Sequence, residues 1–518
     1  MRNKSPHSIC TGLLLALLAL FFTPVTSAAL CESANSFDPG PADANTWSGW
    51  GGSHTNNRFN NASNNPINSE NLPRLTLKWA YGFNDVRSVI GNPSLQGNRI
   101  FIGDENGKVY SLDRESACED WLFSADNGVR STPLLEQIND RWLLFFGDRS
   151  ANVYAVDAIT GQQVWKVKVE QHQAAIITGA PQYIQLENES ALHRIIIPVS
   201  SSEEGLGAVP VYPCCSFQGS VVSLDASNGE IIWKTSAIQD AVRETTAGKF
   251  GPSGAAIWSA PTIDLELNQL YVTTGDAYSA PADTATDAVI AMDLLNGNIL
   301  WTQQGTPNDI WTVICMTPNA FPECGPDQDF GSPGILVSDN GNTFLIAGQK
   351  SGIVRAYARS NGNILWQTAL VENTTEFGGK IVWGGASDMQ NSYWGMGNNE
   401  INAVQLSDGS VQWSRSIPPV DGMEMHPGLE GPVTISHDVL FTGSWDGMLR
   451  ALSTNTGELL WDYNTARSFD TINNTPANGG SIGAVGQVVE DGLLLVTSGY
   501  IGVKNGVQGN VLLVFEIK

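Results

Sequence analysis

The chain has 518 residues and a formal net charge of −25, with 27 Lys and Arg against 52 Asp and Glu. An excess of this size repels polyanions, which argues against nucleic acid and anionic membrane surfaces as partners. A neutral substrate or a basic protein suits it better, and so does plain solubility in a salty medium.

The N-terminus carries Arg2 and Lys4, an apolar run from Gly12 to Phe22, and the small residues Thr26, Ser27, Ala28 and Ala29. That order reads as a secretory signal peptide over residues 1–28, cut after Ala28 or Ala29. Leu13 to Phe22 is too short to cross a bilayer, so no membrane span is expected and the protein is read as periplasmic or secreted. Loss of Arg2 and Lys4, with no acid among residues 1–28, takes the net charge from −25 to −27. Cleavage also removes Cys10 and leaves Cys31, Cys118, Cys214, Cys215, Cys315 and Cys324, an even set in an oxidising compartment. Six cysteines allow about fifteen pairings. Local proximity favours Cys214 with Cys215 and Cys315 with Cys324, leaving Cys31 for Cys118.

Residues 29–74 form an N-terminal segment, and a repeat follows. It reads GKVYSLDRESACEDW from Gly107, ANVYAVDAITGQQVW from Ala151, GSVVSLDASNGEIIW from Gly219 and DAVIAMDLLNGNILW from Asp287. It returns as GIVRAYARSNGNILW from Gly352, INAVQLSDGSVQW from Ile401 and GMLRALSTNTGELLW from Gly447. Each unit is an alternating strand, a tight Asn-Gly, Thr-Gly or Asp-Gly turn, and a second strand ending in Trp, which together make an antiparallel hairpin. Upstream strands such as NRIFIGDENG (Asn98 to Gly107) complete four strands per repeat, the pattern of a β-propeller. The terminal tryptophans Trp121, Trp165, Trp233, Trp301, Trp366, Trp413 and Trp461 are joined by Trp79 in LTLKWAY, so eight blades are expected. The chain ends in GNVLLVFEIK, a hairpin strand with nothing after it. Leu75 to Tyr81 is the strand that closes the ring, giving an all-β domain over residues 75–518. The repeated tryptophans are read as blade-docking residues rather than a cofactor box.

Repeats of the form x-V-x-A-x-D-x-x-x-G with a docking Trp, together with WSGWGGSHTNNRFNNASNNPINSENLPRLTLKW (Trp47 to Trp79), resemble the pyrroloquinoline quinone (PQQ) alcohol dehydrogenases. That family consists of exported eight-bladed propellers, and the resemblance covers nearly the whole mature chain. VSSSEEGLG, PCCSFQGSVVSLDASNG and GPSGAAIWSAPTID draw it towards the polyvinyl-alcohol dehydrogenase type. What the resemblance implies is a calcium-dependent quinoprotein that oxidises primary or secondary alcohol groups to carbonyls. No Cys-x-x-Cys-His occurs, so no c-type haem is attached to this chain and electrons leave to a separate acceptor, for which a basic cytochrome c suits the acidic surface.

The resemblance also places a shell around the quinone. Arg130 in NGVRSTP matches a residue that pairs with a quinone carboxylate, Thr178 and Ser200 match hydroxyl donors, Trp258 matches the stacking ring, and Lys350 matches a basic residue that reaches the reactive carbonyl and so is expected to share in catalysis. Cys214 and Cys215 match a vicinal disulfide that packs on the opposite face of the ring. In the methanol-oxidising members that pair lies in an earlier loop, where this chain has Asp126 and Asn127, so the face these cysteines reach is a question for the structure. Glu203 and Asp276 match the calcium carboxylates, with Glu204 close by. In the family motif TPHDxWD the last Asp takes the alcohol proton, but this chain reads TPNDIWT and holds Thr312 there. Asp309 is the nearest carboxylate and the expected base, with Asp276 or Glu203 behind it. Cys315 and Cys324 would staple a loop at the substrate mouth.

A second reading stays open: a non-catalytic propeller of the same repeat type that serves as an assembly scaffold. Such a scaffold has no need of Trp258, Asp276, Lys350 or the vicinal cysteines. His426 and His437 are not spaced as metal ligands. The sequons at Asn61, Asn188 and Asn373 are chance matches in an Asn-rich chain.

Overall fold

The computed structural model describes residues 1, 31, 37–40, 47–186, 192–209, 211–246, 249–372, 380–418, 428–502 and 506–518. The leader at residues 2–28, Asn188, Asn373 and His426 lie outside them. Among the described residues, no helix is long and apolar enough to cross a membrane.

Eight blades of four antiparallel strands follow one another along the chain, as the repeat predicts, with Ala175–Ile176 added to the third and Phe59–Asn60 paired parallel to the seventh. They span residues 94–124, 134–168, 182–236, 262–304, 335–369, 386–416 and 434–464, with the eighth at 488–517. Blade 8 takes its outer strand from the start of the domain: Leu75–Gly82 pairs antiparallel with Val511–Ile517, Leu75 opposite Ile517 and Gly82 opposite Val511. With this strand in place blade 8 has its fourth strand and the ring is closed, so every blade has a neighbour on each side. First strands of neighbouring blades face one another around the axis, and burial follows from this, with most inner strands fully buried and outer strands exposed at alternate residues.

The repeated Trp and the repeated Gly work as a pair between blades. Indole N–H groups donate to turn carbonyls of the next blade: Trp79 to Arg114, Trp121 to Ala158, Trp165 to Ala226, Trp233 to Leu294, Trp301 to Arg359, Trp366 to Leu406 and Trp413 to Thr454, at 2.8–3.3 Å. The glycine of that same turn lies flat on the ring. A Cβ on Gly229 would stand 2.8 Å from Trp165, and one on Gly297 2.5 Å from Trp233, and both glycines hold φ above +70°. Gly is therefore required twice over, by backbone conformation and by ring contact. Trp461 is the exception, since in blade 8 the third strand, Val511–Ile517, and the outer strand, Leu75–Gly82, come from distant parts of the chain and no turn joins them. It packs on Phe515 instead, with centroids 5.9 Å apart.

Residues 47–60 line the axial channel and touch every blade in turn. Leu95 N donates to Trp47 O, and Ser48 Oγ exchanges hydrogen bonds with Leu135. Gln182 Nε2 donates to Asn56 Oδ1, while Ile263, Leu336, Ser387 and Ile435 N–H groups donate to the carbonyls of His54, Thr55, Asn57 and Arg58. Asn60 Nδ2 reaches Val489 O. Inner strands present unpaired backbone groups to the axis, and this segment satisfies them.

The inner strand of blade 2 contains a half-buried acid. Glu136 accepts no hydrogen bond among the described residues, and burial pushes its carboxyl from 4.5 up to about 8. The folded state keeps the proton up to about pH 8, whereas the unfolded chain releases it near 4.5, so stability falls as pH rises across that window. Glu136→Gln is expected to leave the melting midpoint unchanged at pH 4.5 and raise it at pH 8, by an amount worth about 2 kcal/mol or more. Equal shifts at both pH values would show that this carboxyl is not the cause.

Three disulfides form, Cys31–Cys118, Cys214–Cys215 and Cys315–Cys324, the set that local proximity favours. The peptide between Cys214 and Cys215 is cis.

Candidate active site

Strand alternation puts two kinds of connection on one face of the ring: the entry to each inner strand, and the turn between second and third strands. Entries bring Arg130, Thr178, Trp258, Asp327, Asp329, Lys380, Trp383 and Glu430. Turns bring Ser200, Glu204, Gly275, Tyr278, Lys350, Trp445 and Tyr500. Together they line a cavity of about 530 Å3 on that face, within the size range of sites for small organic ligands.

One wall is aromatic. Trp258 and Trp383 meet edge to face at 5.3 Å, Trp383 continues to Tyr500 at 6.0 Å, and Tyr500 to Trp445 at 5.8 Å. Arg130 lies over the rings of Trp383 and Tyr500, at 4.8 and 5.5 Å, and Lys350 Nζ lies 5.7 Å from the Trp258 ring. Gly331 lets the backbone close on Trp258, for a Cβ there would come within 2.5 Å of the indole. Thr178 Oγ1 donates to Trp258 O at 3.2 Å.

The floor is ionic. Lys350 Nζ contacts Asp327 Oδ1 and Asp329 Oδ1, each at 2.6 Å, and Lys380 Nζ contacts Asp327 Oδ2 at 2.6 Å. Burial works against the Lys350 ammonium, but Asp327 and Asp329 outweigh it and hold the group well above its ordinary value. Burial pushes Glu204 up to about 7, with Lys350 pulling the other way. Asp276 and Asp287 are pushed far up, first by burial and then by Asp329 and Asp309 respectively.

Of the residues picked from sequence, Arg130, Thr178, Ser200, Trp258 and Lys350 line this cavity together. Others are brought near it but not onto its wall. Glu203 opens a short helix, Glu203–Leu206, and turns away from the cavity that its neighbour Glu204 lines. Its carboxylate accepts from Tyr212 Oη at 2.8 Å, Ser216 N at 2.9 Å and Phe217 N at 2.7 Å. That set anchors the loop carrying the vicinal cysteines. Cys214 and Cys215 sit behind the wall, Cys215 fully buried in a core with Phe217, Ala256 and Tyr278. Asp309 is also behind the wall, where it accepts the N–H groups of Gln328 at 2.8 Å and Asp327 at 3.3 Å, and burial pushes it up to about 6. Thr312 is buried with its hydroxyl unpartnered. Asp276 forms one acid triplet with Asp327 and Asp329 and another with Asp287 and Asp309.

Asp327, Asp329, Lys380 and Trp383 are residues that sequence reasoning passed over. Asp327 and Asp329 do carry a local signal, in the segment GPDQDFG that follows the Cys315–Cys324 loop and leads into blade 5.

The eight-bladed propeller, with its aromatic and ionic cavity on one face, has the fold of the quinoprotein dehydrogenases. A family model described as "Glucose/ethanol/alcohol dehydrogenase, beta-propeller domain", the PQQ family, matches residues 47–320, and the chain belongs to that family. A model described as "Outer membrane protein assembly factor BamB" matches residues 397–501. The chain is similar to a polyvinylalcohol dehydrogenase from a Pseudomonas species, 32% identical over 92% of this chain and 78% of that one. It is also similar to the polyvinylalcohol dehydrogenase of Sphingopyxis sp. strain 113P3, 30% identical over 96% of this chain and 80% of that one. Among solved structures it resembles the quinohemoprotein alcohol dehydrogenase from Comamonas testosteroni, with a TM-score of 0.66 and 16% identity over 93% of this chain and 83% of that one.

Proposed function

We propose that the protein is exported and oxidises the secondary hydroxyls of a polyol such as polyvinyl alcohol, using PQQ and calcium, and delivers electrons to a basic cytochrome c. Its family makes it a PQQ-dependent alcohol dehydrogenase with an alcohol substrate and an electron acceptor. The observation that carries the finer reading is the cavity itself, with Trp258 as a wall, Arg130 at the rim, and Lys350 held between two carboxylates. A bare assembly scaffold requires none of these.

The donor set fits a flat tricarboxylate and a hard cation. Arg130 would take a carboxylate of the quinone, Thr178 and Ser200 would offer hydroxyls, and Trp258 would cover one face. For the metal, Glu204 is the better-placed acid of the pair, because it lines the cavity with no protein donor on its carboxylate while Glu203 is fully engaged. Asp276 would join it with its unpartnered Oδ1. When bound, the quinone supplies the oxidant, accepting two electrons from the alcohol. The protein's part is to orient and deprotonate. We assign the base to Asp329, which lines the cavity beside Lys350, in place of Asp309 behind the wall. Asp327, gripped by Lys350 and Lys380, holds the Lys350 ammonium at the cavity, where it would be available to a carbonyl oxygen of the quinone.

The test is to add PQQ and calcium to the purified protein, measure binding by calorimetry, and follow reduction of a dye with secondary alcohols and polyvinyl alcohol. Calcium-dependent binding with dye reduction is expected. An absence of quinone binding would return the protein to the scaffold reading.

A further inference from the structure

We propose that Asp276, Asp287 and Asp309 hold a second hard divalent cation, of the calcium class, behind the cavity wall and independent of the quinone. One carboxylate oxygen from each lies within 4.8 Å of the other two, and the three residues are 1%, 0% and 0% exposed. Three buried like charges at this range are strongly unfavourable unless something positive sits among them.

The second mark is Asp287. Neither of its oxygens accepts a well-formed hydrogen bond: the Thr286 hydroxyl lies within reach but donates to Asp283 O at 2.9 Å, and the other close group is the Asp276 carboxyl, itself an acid. A fully buried carboxylate aimed at two others, with neither oxygen satisfied, is the usual sign of an oxygen-seeking cation. Asp276 Oδ1 is unpartnered as well, and Asp309 has only the N–H groups of Asp327 and Gln328.

Charge decides the number of cations. The acids on the cavity side have ammonium partners: Asp327 has Lys350 and Lys380, and Asp329 has Lys350. No ion pair reaches Asp276, Asp287 or Asp309 among the described residues. When all are ionised, Glu204, Asp276, Asp287, Asp309, Asp327 and Asp329 stand against Lys350 and Lys380, which leaves four negative charges. One divalent cation at Glu204 and Asp276 neutralises half of that. A second, with Asp276 shared between the two, neutralises the rest, and oxygen-only ligation in a buried pocket matches calcium's preferences. The alternative is that the triplet is kept neutral by protons.

The full chain is stripped of metal and, with no quinone present, titrated with calcium chloride by calorimetry and thermal melting. One site in this triplet and a rise in midpoint of about 2–3 °C at a hundredfold excess over Kd are expected. Asp287→Asn removes both effects, while Glu204→Gln, which alters only the cavity side, keeps them. Calcium binding that survives Asp287→Asn overturns the proposal. So does a parent protein that ignores calcium while Asp287→Asn melts higher in metal-free buffer, the signature of protonated acids relieved of repulsion. Where Asp287→Asn does not fold, calcium content decides: one ion per chain retained without quinone by Glu204→Gln supports the site, and none overturns it. Because every readout is taken without quinone or alcohol, failure here is distinct from failure of the dehydrogenase reading.

Discussion

Asp329→Asn is expected to lower kcat by about 10³-fold, some 4 kcal/mol of barrier, while PQQ still binds within about threefold of the parent affinity. The substitution keeps the size of the side chain and its acceptor oxygen towards Lys350, but removes the carboxylate that takes the hydroxyl proton. Lys350 and Asp327 stay in contact, so the cavity keeps its shape. Asp309→Asn is the matched comparison. Its carboxylate is turned to the N–H groups of residues 327 and 328 and does not line the cavity, so its effect should appear in melting rather than in turnover. Dye reduction and quinone calorimetry on the two variants decide between them. A silent Asp329→Asn beside an inactive Asp309→Asn with normal melting would move the base back to Asp309.

Arg58→Ala should cost about 4 kcal/mol in denaturant unfolding. Arg58 is 1% exposed in the axial channel. It donates to Val433 O at 2.9 Å, Thr434 Oγ1 at 2.7 Å and Gln487 O at 2.7 Å, and also to Trp50 O. Its guanidinium lies 5.4 Å from the Trp47 ring and 4.6 Å from that of Trp50. No carboxylate pairs with it among the described residues, and burial lowers its pKa to about 9, so the carbonyls of two blades and two indoles carry the charge between them. Truncation strands those carbonyls at about 1–3 kcal/mol each, offset in part by removal of a costly buried charge. Arg58→Lys should recover little, because a point ammonium lacks the planar fork that reaches several acceptors at once. A loss below about 1 kcal/mol for Arg58→Ala would mean that the channel segment is held by its backbone bonds alone.

The limits of sequence reading are clearest at two adjacent acids. Glu203 and Glu204 are equivalent in VSSSEEGLG, yet one ties down a loop and the other lines the cavity. They occupy one turn of helix, in which each residue is rotated by roughly 100° from the last. The vicinal cysteines tell the same story: their pairing is local and was readable, but the side of the wall on which they lie depends on how the anchor at Glu203 sets the loop. Asp309 sat closest in sequence to the departed family base, whereas Asp329, twenty residues on and past a stapled loop, is the one that reaches the cavity.

The sequence by itself determined the blades, their number, the closing strand and the docking role of the tryptophans, and it favoured the three disulfide pairings that the structure shows. Most of this rests on short-range information: a period of two along a strand, a glycine turn, a ring repeated at one position, and two pairs of cysteines close in the chain, with Cys31 and Cys118, 87 residues apart, left over for each other. Only the tertiary structure decided which acids share a site, which carboxylate of a neighbouring pair faces inward, and that residues 47–60 line the axis. Those are meetings of connections from different blades, and they exist only once the ring closes.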